Sequence, residues 1–129
     1  LSLVGSEMCI RDRYEEAANY FFKLDFIESN CIKAWRGIGW CSFISRKYEQ
    51  AMKYYEKIIE QKPLAIDYMN AGHVAWTMGD IQKAAALYGK SITANGNRER
   101  FLEMFRKDKE ALLKQGIQEE DIPLMLDLL

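Results

Sequence analysis

Residues 35–63 read WRGIGWCSFISRKYEQAMKYYEKIIEQKP, and their spacing decides the fold. Trp35, Ile38, Gly39 and Ser42 recur at intervals of three and four, which puts them on one side of a helix. The pattern breaks at residues 45–47. It then resumes with Tyr48, Ala51, Met52, Tyr55 and Ile58/Ile59, a second apolar stripe of the same period closed by Pro63. Two amphipathic helices joined by a short turn make an αα-hairpin. Gly39 and Ala51 are small enough to let the two backbones approach closely.

The same pattern returns on both sides of this hairpin. Downstream, Tyr68, Gly72, Ile81, Ala84 and Tyr88 match Trp35, Gly39, Tyr48, Ala51 and Tyr55, each offset by 33. Gly79 and Asp80 supply the turn that Arg46 and Lys47 supply in the first copy, with Asp80 placed to cap the helix that follows. Upstream, Tyr14, Ala17 and Phe21 match Tyr48, Ala51 and Tyr55 at an offset of 34, which reads as the second helix of an earlier copy. Asn30 is the expected N-cap of the next helix.

With Trp35, Ile38 and Gly39, then Ala51 and Tyr55, then Pro63, the hairpin resembles the tetratricopeptide repeat, whose pattern is W-x2-L-G-x2-Y, A-x3-F and P. Ser42 departs from it, standing where the family prefers Tyr. In the second copy Ala71 and Ala75 are smaller than the pattern's Leu and Tyr, and Gly96 replaces the closing proline. The resemblance covers residues 14–96. It implies an all-α, right-handed solenoid of helical hairpins.

Beyond residue 96 the repeat is lost, but Phe101, Leu102, Met104, Phe105, Ala111, Leu112 and Leu113 mark one helix over residues 98–115, ended by Gly116. Its other face is charged, as expected of an element that covers the last apolar face of a solenoid and meets water on its far side. A short helix near residues 123–129 is expected to fold back and bury Leu124, Leu126 and Leu128/Leu129.

Residues 1–13, LSLVGSEMCIRDR, fit helical spacing poorly and resemble a translated sequencing-adapter read. They are expected to be foreign to the fold and disordered or loosely helical, the alternative being a genuine, poorly conforming first helix. The expected organisation is therefore 1–13 outside the fold, 14–30 the second helix of a truncated repeat, 31–63 and 64–96 two repeats, and 97–129 the cap.

Composition narrows the function. Eighteen basic and nineteen acidic residues give a net charge of −1, so no general attraction to nucleic acid or an anionic membrane is expected. No apolar run reaches the ~18 residues of a membrane span. Three unpaired cysteines, Cys9, Cys31 and Cys41, read as reduced thiols and point to the cytoplasm. No phosphate-cradling, dinucleotide or nucleophile-elbow motif occurs, and no cofactor or metal is expected. Glu15–Glu16 and Glu119–Glu120–Asp121 are adjacent acids that point different ways on a helix, so they read as solvated faces. His73 lacks a nucleophile at any identifiable spacing, and Cys41 reads as core. The chain is read as not an enzyme.

The family resemblance implies that the first helix of each repeat lines a concave groove where a protein or peptide docks. On that face lie Lys33, Arg36, Trp40 and Phe43 in one copy and Met69, His73 and Trp76 in the next. Tryptophan and arginine are enriched among residues that dominate interfaces. Core packing is an equal reading for Phe43 and Trp76, whereas Arg36, Trp40, Met69 and His73 are expected to share one partly exposed surface. Members that clamp the acidic C-terminus of chaperones use Lys and Asn here, and Trp40 stands where that clamp wants Asn. The rival expectation is a structural spacer or dimerisation arm of a larger protein, with self-association, or with a separate catalytic or regulatory domain upstream.

Overall fold

The computed structural model describes residues 2–129, with side chains from residue 10 onward. Cys9 and most of the stretch expected to be foreign therefore have side chains outside the described residues. The described chain is all α-helical: α1 (Ser2–Ile27), α2 (Ile32–Ile44), α3 (Tyr48–Gln61), α4 (Ala65–Thr77), α5 (Ile81–Asn95), α6 (Arg98–Lys107), α7 (Lys109–Lys114) and α8 (Asp121–Asp127). It divides into two compact units, Leu1–Ile58 and Ile59–Leu129.

In the first unit α1 and α3 both pack on α2. The stripe read from the sequence is buried: Trp35, Ile38, Gly39 and Ser42 on α2 face Ala51, Met52, Tyr55 and Ile58 on α3. A methyl group on Gly39 would come within 2.9 Å of the Tyr55 ring, and one on Gly37 within 2.4 Å of the Phe21 ring of α1. Absence of side chains at these two positions is what lets α2 sit between its neighbours. Trp35 Nε1 donates to Asp25 Oδ1 at 2.8 Å, tying α2 to α1, and the Lys57 ammonium lies 4.4 Å from the Trp35 ring centroid.

The helix α1 includes most of residues 1–13, and the turn after it corrects one expectation. The helix runs unbroken through residue 13, so the boundary expected between a foreign segment and a truncated repeat does not mark a change in the backbone. Helix propagation costs little once a nucleus exists, and nothing in 11–16, RDRYEE, is a helix breaker. At its other end Asn30 is not the N-cap of α2. It adopts a left-handed φ of 56°, a conformation Asn tolerates, and Cys31 takes the cap position.

The turns inside the two hairpins are the same motif at an offset of 33. Lys47 N–H donates to Ser42 O (2.8 Å) and Arg46 N–H to Phe43 O (3.1 Å). Asp80 N–H donates to Ala75 O (2.9 Å) and Gly79 N–H to Trp76 O (2.9 Å). Both are Schellman caps, which need a left-handed residue just past the helix. Gly79 meets that need at no steric cost with φ 88°, whereas Arg46 is forced to φ 64°. Arg46→Gly is therefore expected to raise stability by about 0.5–1 kcal/mol in urea unfolding followed by circular dichroism. An unchanged or lower stability would mean that side-chain contacts of Arg46 outweigh the backbone strain.

In the second unit α4 and α5 form the hairpin, with Ala71, Gly72 and Ala75 against Ala84, Leu87 and Tyr88. The first three helices of the unit, α4, α5 and α6, start on side-chain caps. Leu64 N–H donates to Asp67 Oδ2 (2.8 Å), Lys83 N–H to Asp80 Oδ1 (3.1 Å) and Arg100 N–H to Asn97 Oδ1 (2.9 Å). The helix expected over 98–115 is two helices, α6 and α7, separated at Asp108. α8 buries Ile122 and Met125 rather than the expected leucines. Leu124 and Leu128 remain exposed, and Arg98 Nη2 donates to Leu126 O at 3.0 Å.

Candidate functional site

On α2, Lys33, Arg36, Trp40 and Ile44 fall at spacings of three, four and four, one stripe of the helix. The stripe is the part of α2 that its packing leaves accessible. Lys33 is exposed, and Arg36, Trp40 and Ile44 are half-buried. Trp40 is held from beneath by Phe43, whose ring lies 5.5 Å away and is itself fully buried against Tyr48 at 6.0 Å. Phe43 is thus core, and it serves the surface by fixing the indole above it. The arrangement offers an ordered aromatic platform with a guanidinium one turn before it and an ammonium at the helix start.

The corresponding face of α4 is different. Met69 and His73 are fully buried and Trp76 is 5% exposed, so the partly exposed surface expected for Met69 and His73 is absent from the fold. The reason is α6. Its Phe105 lies 5.5 Å from the His73 ring, 6.5 Å from Trp76 and 5.6 Å from Tyr88, and Phe101 adds a contact to Tyr88 at 5.7 Å. The helix after the second hairpin closes over the face that the first hairpin leaves accessible.

A family model described as the tetratricopeptide repeat matches residues 32–63 and 68–98. These two segments are tetratricopeptide repeats. The matched segments coincide with the hairpins α2–α3 and α4–α5, and the second runs on to the first residue of α6. Tetratricopeptide repeats mediate protein–protein interaction and scaffolding, and such domains are typically non-catalytic. No curated protein matches the chain. Among the described residues no helix is long and apolar enough to cross a membrane, and no cluster of His, Cys, Asp and Glu has the make-up of a metal site.

Beneath the closed face of the second repeat lies a polar chain that sequence reasoning missed. Tyr88 Oη and His73 Nδ1 are 2.6 Å apart, and His73 Nε2 lies 2.9 Å from Asp108 Oδ2. A carboxylate accepts only, so Nε2–H donates to Asp108, and in the neutral imidazole Nδ1 accepts from the Tyr88 hydroxyl. The three groups resemble a nucleophile–base–acid series, but Tyr88 and His73 are both 0% exposed and no substrate reaches them. Their work is structural: three polar groups from α4, α5 and the α6–α7 junction satisfy one another inside an aromatic cluster. The repeat offset places His73 and Tyr88 on facing helices and gave a signal for their contact. Asp108 lies outside the repeat, and nothing in its spacing pointed to it.

Burial pushes the Tyr88 phenol well above the usual tyrosine value near 10, with the Asp108 charge adding to the shift. Burial also raises the phenols of Tyr48, where Arg46 opposes it, and of Tyr54, where Asp25 adds to it. A phenol whose folded pKa exceeds its unfolded pKa stabilises fully below the unfolded value. That stability is lost as pH rises toward the folded value, because the unfolded chain gives up protons that the native state keeps. Stability is thus expected to fall above pH 10, with Tyr88 contributing up to about 1.4 kcal/mol per pH unit. In Tyr88→Phe the alkaline slope should be shallower, whatever the variant's stability at pH 7. An identical slope in both proteins would show that Tyr88 does not titrate with unfolding.

Proposed function

We propose that this chain is a non-enzymatic scaffold that binds a protein or peptide on the accessible stripe of α2, with Trp40 as the anchor. The observation that carries this reading is the indole itself: half-exposed, fixed by Phe43 below, and one turn from Arg36 on the first helix of a tetratricopeptide repeat. An aromatic platform presented with little loss of side-chain freedom is the usual core of an interface hot spot. Arg36 supplies a charge-assisted bond to a carboxylate or backbone carbonyl, and Lys33 extends the cationic edge. The near-neutral net charge supports a protein partner over nucleic acid or membrane. The free thiols of Cys31 and Cys41, with Cys41 held as the thiol by burial, support a reducing, cytoplasmic setting.

The closed face of α4 favours a second reading for that unit alone. With Met69, His73 and Trp76 spent on the core, the second repeat serves as a spacer or as a rigid support, and partner contacts fall to the first. Both readings are tested by capture of partners from the native lysate, with wild type beside Trp40→Ala, Arg36→Ala and the double variant. Each variant is first checked for helical content by circular dichroism. Trp40→Ala is expected to weaken the main captured partner by about 2 kcal/mol or more, close to thirtyfold in Kd by titration. Retention of every partner at wild-type affinity by the double variant would leave the spacer reading alone.

A further inference from the structure

The helix α1 has two sides that are used differently. Phe21, Phe22 and Asp25 face the rest of the first unit: Phe21 covers Gly37, Phe22 lies 5.9 Å from the Tyr54 ring, and Asp25 accepts from Trp35. On the other side Glu16, Tyr20, Lys23 and Ile27 fall at spacings of four, three and four, one stripe of the helix, with Phe26 beside it. All five are exposed, Tyr20 by 63%, Ile27 by 80% and Phe26 by 93%. Phe26 and Ile27 are the most exposed large apolar side chains among the described residues. Three such side chains together on one helix face mark an interaction surface, where a single one would not.

The charges on the stripe select its occupant. Glu16 and Lys23 stand one turn to either side of Tyr20. A second copy of α1 laid antiparallel, crossing between Asn19 and Tyr20, sets Glu16 of each copy opposite Lys23 of the other. The same register sets Phe26 of each copy over Arg13 of the other, a guanidinium on an aromatic ring. A parallel pair would instead oppose Glu16 to Glu16 and Lys23 to Lys23, like charges that disfavour docking. The antiparallel arrangement is its own complement, as a two-fold interface requires. α1 is 26 residues long, so the helix of the second copy extends past Phe26 and Ile27 and covers them.

We propose that two copies of this chain form a two-fold dimer through the outer face of α1. Glu16 and Lys23 set its register, and Tyr20, Phe26 and Ile27 supply its apolar contact. A contact one helix wide is at the small end of specific interfaces, so the dimer is reversible and weak, with a micromolar Kd. This face is separate from the stripe of α2 and does not rest on it.

The test is sedimentation equilibrium of the full chain over roughly 5–500 μM, a range that brackets a micromolar Kd. The average mass is expected to rise with concentration from 15.0 kDa toward twice that value. Glu16→Lys and Lys23→Glu each turn two attractions per dimer into two repulsions, and each should raise Kd about tenfold or more. The two together in one chain restore opposite charges across the interface and should bring Kd back to within about threefold of wild type. Phe26→Ser should weaken the dimer without changing its register. All four changes fall on exposed side chains, and circular dichroism confirms that each variant keeps its helices. A monomer at every concentration overturns the proposal and leaves the face to a different protein. A dimer indifferent to both single reversals overturns it too, since the copies then meet through another face. Failure of the combined variant to recover would refute the Glu16–Lys23 register on which the proposal stands.

Discussion

Phe105→Ala is expected to destabilise the second unit by roughly 3–5 kcal/mol, the range for removing a large aromatic from a packed core. Phe105 is 2% exposed and is the ring that His73, Trp76, Tyr88 and Phe101 share, all within 6.5 Å between centroids. Its loss leaves a void that four rings line, and edge-to-face pairs lose their orientation as well as their area. The neighbouring hydrogen bonds suffer too, because a collapsed ring cluster shifts His73 relative to Asp108. Urea unfolding with tryptophan fluorescence and circular dichroism as paired probes measures the cost. Amide exchange along α4 locates it. A cost under about 1 kcal/mol would mean that α6 does not close the second unit in solution, and the accessible-face reading of Met69 and His73 would return.

Gly72→Leu is the second large effect, expected at about 3 kcal/mol, the upper end for overpacking a tight contact. A β-carbon at residue 72 comes within 2.6 Å of the Tyr88 ring. That ring cannot retreat: it is 0% exposed, bonded to His73 and wedged by Phe101 and Phe105. Gly89→Leu on α5 is the control, because a β-carbon there meets nothing within 4 Å, and a helical interior prefers leucine to glycine. It should leave stability unchanged or raise it by a few tenths of a kcal/mol. Equal costs at the two positions would show that the loss at residue 72 reflects helix propensity and not the close approach of α4 to α5.

Much of the fold is legible in the sequence because repeats multiply a weak signal. One helix pair by periodicity is ambiguous. Tyr68, Gly72, Ala84 and Tyr88 recurring at one offset from Trp35, Gly39, Ala51 and Tyr55 fix register, hairpin and turn together. The structure buries seven of the eight, and Tyr68 is half-buried. Legibility ends where the repeat ends. Periodicity says that residues 98–105 bury Phe101 and Phe105, but not what they bury them against. The family resemblance puts Met69 and His73 on a groove-lining first helix, and nothing in the sequence of α4 shows that another helix covers them. A face has no fixed fate in the sequence of its own helix, since its exposure is decided by whether another segment arrives. Asn30 and Arg46 show the local counterpart. A left-handed residue other than glycine gives no composition cue, and only the matched position of Gly79 hinted at it.

The bond between His73 and Asp108 spans 35 residues, and the Trp76–Phe105 contact spans 29. Phe101 and Phe105 also reach Tyr88 from outside the α4–α5 hairpin, whereas the His73–Tyr88 and Ser91–Ala65 bonds are made within it. During synthesis, then, the second hairpin emerges with its histidine and tyrosine able to pair with each other but without the carboxylate that completes them and without the ring that seals them. Loop closure must be spent before those contacts repay it. The hairpin stays exchangeable until residue 108 has left the ribosome, and the order in which the chain is made becomes the order in which it hardens.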